Sequence, residues 1–207
     1  DVLLADVLDT DRIAEIARAT AVAGTWNVPT EILIEQYIND IPVMDLRNRP
    51  EMRYMPEETV QRWVDSKTDA LGESGFDPEV AALAIDVRRR LILELQRAGA
   101  GLLLGSDSPQ VFNVPGFATH RELDALVVAG LTPYEALYSG TVAVANFLGS
   151  NTGIVAVGRE ADLVLVNANP LTDIGNSHRI HGVMLRGVWY SAAALERRLA
   201  PYRAANE

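Results

Sequence analysis

The sequence predicts an α/β protein: residues 1–148 as part of a parallel sheet or barrel, and residues 149–207 as part of a smaller β-rich domain. Two observations predict the first part. The run "GLLLG" from Gly101 is continuously apolar, as a strand covered on both faces is, and it stops abruptly at Asp107 between Ser106 and Ser108. Strand-like and helix-like segments also alternate with short joins, the βαβ signature of parallel pairing. The second part is predicted by a change of texture from Gly149, where "GIVAVGREADLVLVNANPL" and "HGVMLRGVWY" are short β-branched segments broken by Gly, Asn and Pro.

The elements follow in order. Thr10 and Asp11 open a helix with Ile13, Ile16, Ala17 and Ala21 on one face and Gly24 closing it. Residues 28–34 have strand character, with Pro29 near the start where proline is tolerated. A loop rich in Asp, Arg, Asn and Pro covers residues 38–55, long enough to form part of an active-site wall. Pro56, Glu57 and Glu58 open a helix that turns Val60, Trp63 and Val64 inward. Asp77 and Pro78 cap a longer helix with Leu83, Val87, Leu91 and Leu95 at helical spacing, ended by Gly99, and its Arg88, Arg89 and Arg90 read as a solvated face. The strand of residues 101–104 comes next. Glu122, Leu123, Leu126 and Val127 fit a helix stopping at Gly130, and Thr132, Pro133 and Glu135 form a capping box for helical structure reaching Leu148.

Composition narrows the function classes. A 48% hydrophobic content supports a real core, and a net charge of -10 without a long acidic block argues against nucleic acid or an anionic membrane as partner. A small-molecule substrate is the better expectation. No apolar run is long enough to span a bilayer, and the absence of cysteine excludes disulfides and thiolate metal sites without fixing a compartment. The chain opens on "DVLLADVLDT", which carries no targeting pattern and reads as the middle of a longer sequence.

Asp107 is the first candidate for chemistry. In parallel α/β proteins ligands and catalytic groups collect at the carboxyl ends of strands, although an aspartate there can also simply cap a turn. The ordered series "LLLGSDSP", "PGFATHREL", "AGLTPYEAL", "TVAVANFLG", "GIVAVGREADLVLV" and "GVMLRGVW" resembles the C-terminal half of metal-dependent amidohydrolases, in the branch of imidazolonepropionases and Xaa-Pro dipeptidases. The resemblance implies a (β/α)₈ barrel, TIM-like, with residues 28–34 as its seventh strand and 101–104 as its eighth. It places residues 154–190 in a small β-sandwich. It further implies that Asp107 touches a divalent metal, zinc first, and takes a proton from metal-bound water during hydrolysis of a carbon–nitrogen bond.

The family's other ligands, a His-x-His pair, a lysine or glutamate and two further strand-end histidines, are not matched here; the histidines are His120, His178 and His181. The expectation is therefore a piece of an amidohydrolase, weak in metal binding and inactive alone, whose partners are the missing half of the barrel or a second copy of itself. The alternative is a non-catalytic homologue acting in binding or assembly. His120, Ser106 and Ser108 are candidate substrate contacts, with an exposed histidine and ordinary turn serines as the plain alternatives. His178 and His181 read as surface residues, and Asp162 as a turn former.

Overall fold

The computed structural model describes residues 9–72 and 76–204. The Asp9 side chain accepts from the Asp11 N–H and starts a 3₁₀ turn, Thr10–Arg12, that runs into helix α1 (Ile13–Val22). Ile13 and Ala17 are buried, whereas Ile16, expected on the same face, is 46% exposed. The chain then reverses at Gly24, with φ of 65°, and enters strand β1 (Trp26–Asn27).

The strand expected at residues 28–34 is not there. Pro29 has no N–H to give a ladder, Thr30 takes a left-handed φ of 48°, and residues from Glu31 onward form helix α2 (Glu31–Ile38). A short apolar run such as "EILI" has no decisive period, so its β-branched residues misled. Pairing survives one step earlier: β1 lies parallel to β2 (Gly101–Leu102), with Trp26 opposite Gly101 and Asn27 opposite Leu102. The remainder of the expected 101–104 strand is held individually, Leu103 N–H donating to Asn27 O at 2.9 Å and Leu104 N–H to Ser139 O at 3.1 Å. Gly101 is required here, because a Cβ would lie 2.4 Å from the Trp26 ring.

Residues 38–55 are more ordered than a loop. They hold α3 (Val43–Arg47) and a 3₁₀ segment, Pro50–Tyr54, which deliver Leu46 and Met52 to a core shared with Val60, Trp63, Phe112 and Val114. Val60 and Trp63 come from α4 (Glu57–Gly72), inward as the spacing required. Helix α5 (Pro78–Ala98) is capped by Asp77, which accepts from Glu79 and Val80, and ends at Gly99 with φ of 77°. Its Ile92 and Leu95 join Leu102, Leu123, Leu126, Leu131 and Ile174 in the larger core. Arg88 and Arg89 are not a solvated face. Arg88 donates to Glu31 at 2.8 Å and to Pro29 O at 2.9 Å, and Arg89 to Glu35 at 2.7 Å, so both clamp α2 onto α5.

Helices α6 (Phe117–Val128), α7 (Pro133–Ser139) and α8 (Val142–Leu148) follow, with the Thr132–Glu135 capping box in place. Strands β3 (Leu163–Val166), β4 (Ile180–Leu185) and β5 (Val188–Ser191) form one antiparallel sheet in that order, followed by α9 (Ala192–Ala204). The β-rich texture after Gly149 is thus real, but residues 154–162 contribute no strand. No helix among the described residues is long and apolar enough to cross a membrane.

Among the described residues β1 and β2 pair only with each other, so each keeps one edge without a strand partner there. Open parallel edges beside exposed apolar groups such as Val28, 50% exposed, favour association between chains. The expected outcome is earlier elution in gel filtration as the chain is concentrated; elution as a monomer at every concentration would count against it. Gly101→Ala should lower stability by about 1–3 kcal/mol, the usual scale for overpacking, as read by denaturant unfolding.

Candidate active site at the end of strand β2

The chain leaves β2 through Leu103 and Leu104 and turns at Ser106, which is buried, and Asp107, which is exposed. Asp107 has a left-handed φ of 50°, a conformation that costs a non-glycine residue on the order of 1–3 kcal/mol and persists only when its surroundings fix it. Asn113 does the fixing. Its side-chain amide donates to Ser106 O at 2.8 Å, while its backbone N–H donates to Gln110 O at 2.6 Å. Gln110 in turn donates from Nε2 to the Asp107 carboxylate at 2.8 Å. The Ser106 and Ser108 hydroxyls lie 3.4 Å apart on either side of the acid. The carboxylate is presented to solvent by one side-chain hydrogen bond from a loop closed on itself.

That loop is tied to α2. Asn113 is fully buried, and its carbonyl accepts from the equally buried Gln36, whose own carbonyl accepts from Arg49. Lys67 on α4 is also fully buried and donates to Gln36 O at 2.6 Å, Asn39 O at 3.0 Å and Asn39 Oδ1 at 2.7 Å. Burial, reinforced by nearby Arg49, pushes the Lys67 ammonium down to about 8. None of Gln36, Arg49, Lys67, Gln110 or Asn113 stood out in the sequence. The only available signal was the polar spacing of "DSPQVFN".

The start of α2 rests on a buried acid. Glu122 on α6 accepts the Glu31 N–H at 2.9 Å and the Ile32 N–H at 2.8 Å, a carboxylate serving as the helix cap that Thr30 does not supply. Burial pushes the Glu122 carboxyl up to about 7 against the pull of those two backbone donors. The neighbouring Glu31 is shifted upward as well, mainly by burial and despite Arg88. His120, two residues earlier and so on the far side of the helix, faces elsewhere: Nδ1 lies 3.0 Å from Ser177 Oγ and its ring sits 4.7 Å from that of His178, which lies 3.2 Å from Asp124. Burial first, then His178, lowers the His120 pKa. Ser106, Asp107 and Ser108 therefore stand together at the strand end, while the contacts of His120 are with residues 177–178.

As a metal centre this arrangement is incomplete. Asp107 offers carboxylate oxygens, but among the described residues no group of three histidine, aspartate, glutamate or cysteine side chains is placed to hold an ion. The donors present do not fit a divalent metal by themselves.

A carboxylate where a parallel strand ends occupies the position at which α/β folds place ligands and catalytic groups. The amidohydrolase family profile matches residues 4–190, and the chain belongs to that family. A structure of bottromycin amidohydrolase is similar over 88% of this chain and 40% of its own, at 26% identity and a TM-score of 0.72. A putative prolidase from Bifidobacterium longum is 31% identical over 65% of this chain and 35% of its own, with a TM-score of 0.51. A Xaa-Pro dipeptidase with bound methionine shares the fold at 20% identity and a TM-score of 0.56, over 86% and 37% of the respective chains. The chain thus spans about 40% or less of the length of these solved relatives. A search of curated proteins gives no match.

Because the folded pKa of Glu122 stands above the usual carboxylate value of 4.5, the folded state holds a proton that the unfolded chain releases. Its contribution is fully present below about pH 4.5 and is lost as pH rises through about 7. Thermal melting should therefore show this decline between those limits, and Glu122→Gln, which stays neutral, should flatten it. An unchanged slope in the variant would assign the pH dependence to other groups.

Proposed function

We propose that this chain is the catalytic-acid-bearing part of an enzyme that hydrolyses a carbon–nitrogen bond in a small molecule: a dipeptide, a cyclic amide or an N-acyl amino acid. The observation that carries the reading is Asp107, held in a left-handed turn at the end of β2 with its carboxylate oriented by Gln110. Family membership supports it. In the proposed step a water oxygen bonds to the amide carbon while Asp107 accepts its proton. As the carbon–nitrogen bond breaks, Asp107 returns that proton to the departing nitrogen, leaving an acid and an amine. Ser106 and Ser108 flank the carboxylate and contact substrate in this reading, whereas His120, turned toward Ser177 and His178, takes no part in it.

The same proposal takes β1 and β2 as the last two strands of a (β/α)₈ barrel within residues 1–148, and residues 149–207 as part of a β-sandwich. The unpaired edges of β1 and β2 are consistent with further strands beside them. Divalent-metal dependence, zinc first, belongs to the proposal by family. Its remaining donors lie outside the sets that the described residues form, so no step here is routed through a metal.

Asp107→Asn is the test, in the intact or reconstituted protein assayed on Xaa-Pro dipeptides, cyclic amides and N-acyl amino acids with zinc supplied. The variant keeps size and much of the hydrogen bonding but accepts no proton. Turnover should fall about 10²- to 10⁴-fold with melting little changed. Parental turnover combined with a stability loss of about 1 kcal/mol would instead make Asp107 a turn cap.

A further inference from the structure

Two cations converge on Gln36, and neither touches a carboxylate. Lys67 is satisfied by three oxygens around the end of α2, but Arg49 is not. Its hydrogen bond is to the neutral Gln36 carbonyl, leaving the other guanidinium N–H groups without a hydrogen-bond acceptor among the described residues. Arg49 is half-buried, and burial together with the nearby Arg121 brings its pKa down to about 10. Glu51, the buried acid of this cluster, is engaged by Arg121 through both Nε and Nη2. Arg49, Arg121 and Lys67 thus face two carboxylates, Glu51 and Asp40, an excess of one positive charge in a partly desolvated place, where an unpaired charge is expensive. Arg49 also lines a cavity of about 350 Å³ together with Arg47, Asn48, Met52, Arg53 and Glu57, a size within the ~300–1,000 Å³ range of small-molecule sites.

We propose that Arg49 forms a binding site for the carboxylate of a small organic acid, which takes up the open guanidinium fork and neutralises the excess charge. A planar monoanion matches both the fork and the single unit of charge; a phosphate dianion would overshoot it. Arg47 is not the anchor, because it is already paired with Glu57 and bonded to Gln61. The site is hard-wired to the candidate catalytic loop, since Arg49 holds Gln36, Gln36 holds Asn113, and Asn113 holds Ser106. This assignment goes beyond the hydrolase reading and stands or falls separately from it.

The experiment is a titration of the full chain with acetate, with acetamide as the neutral isostere and inorganic phosphate as the dianion, followed by side-chain guanidinium ¹⁵N signals and by melting temperature. Acetate should shift the Arg49 signal saturably and raise the melting temperature; acetamide should do neither, and phosphate should bind more weakly than acetate. Arg49→Gln should abolish the saturable response, and Arg49→Lys, which keeps the charge but loses the fork, should weaken it about tenfold while preserving the fold. Asp107→Asn should leave it intact, so failure of the catalytic reading is distinguishable. No saturable shift, an equal response to acetamide, tighter phosphate binding, or acetate binding that survives in Arg49→Gln would overturn the proposal.

Discussion

The structure depends on one buried hydrogen-bonded acid, Glu122. A helix that begins after Pro29 and a left-handed Thr30 has no side-chain cap of its own, so its first N–H groups need acceptors from elsewhere. Glu122 supplies both of its oxygens from α6, ninety residues away in sequence for Ile32. Arg88 then ties the same corner to α5 by gripping both Glu31 and Pro29 O. Three helices are fixed at one point. Removing any partner would leave another buried group unpaired, which costs more than the net value of a hydrogen bond. One trace of that tension is visible: Glu31 Oε1 is buried without a hydrogen-bond partner.

Once α2 is anchored at its start, its far half can act as a platform. Gln36 lies in the last turns of α2 and reaches Asn113, and Lys67 closes over the carbonyls at the helix end, where a cation suits the exposed C=O groups. The Asp107 loop is thereby held by neutral amides rather than by charges. Amide donors bonded to Ser106 O and to the Asp107 carboxylate orient that loop and its acid.

What could be read in advance separates by the kind of physics involved. Local rules worked: the Asp77 cap, the Thr132–Glu135 box, the inward Val60 and Trp63, and the parallel strand ending before Asp107 all depend on residues within one or two turns of each other. Nonlocal rules failed. Nothing near "PTEILIE" announces that a glutamate from α6 will cap it and make it a helix, and nothing near "DVRRR" announces that α2 will cover two of its arginines. For the candidate site, the position of Asp107 just past a strand is legible because an apolar run stopping at a carboxylate is a local contrast. Its supports, Asn113 and Gln36, are not, because an isolated amide in sequence carries no sign of being buried.

The two cores divide the work in a way that follows from these anchors. The larger one, around Leu95, Leu102, Leu126 and Ile174, is aliphatic and sits behind the parallel pair. It depends on packing, and it also receives Ile174 from the C-terminal part, so that part is seated by the same burial that holds β2. The smaller core, around Leu46, Trp63 and Phe112, lies under the segment that carries Arg49 and beside the loop that carries Asp107. Phe112 is fully buried with a left-handed φ of 62°, next to Asn113. Strain at Asp107 and at Phe112 therefore brackets one short loop, and the aromatic anchor at its far end, with the Asn113 amides, is what offsets it. The backbone of the loop is thus set by a buried ring and buried amides, while the carboxylate itself is oriented by the exposed Gln110 side chain.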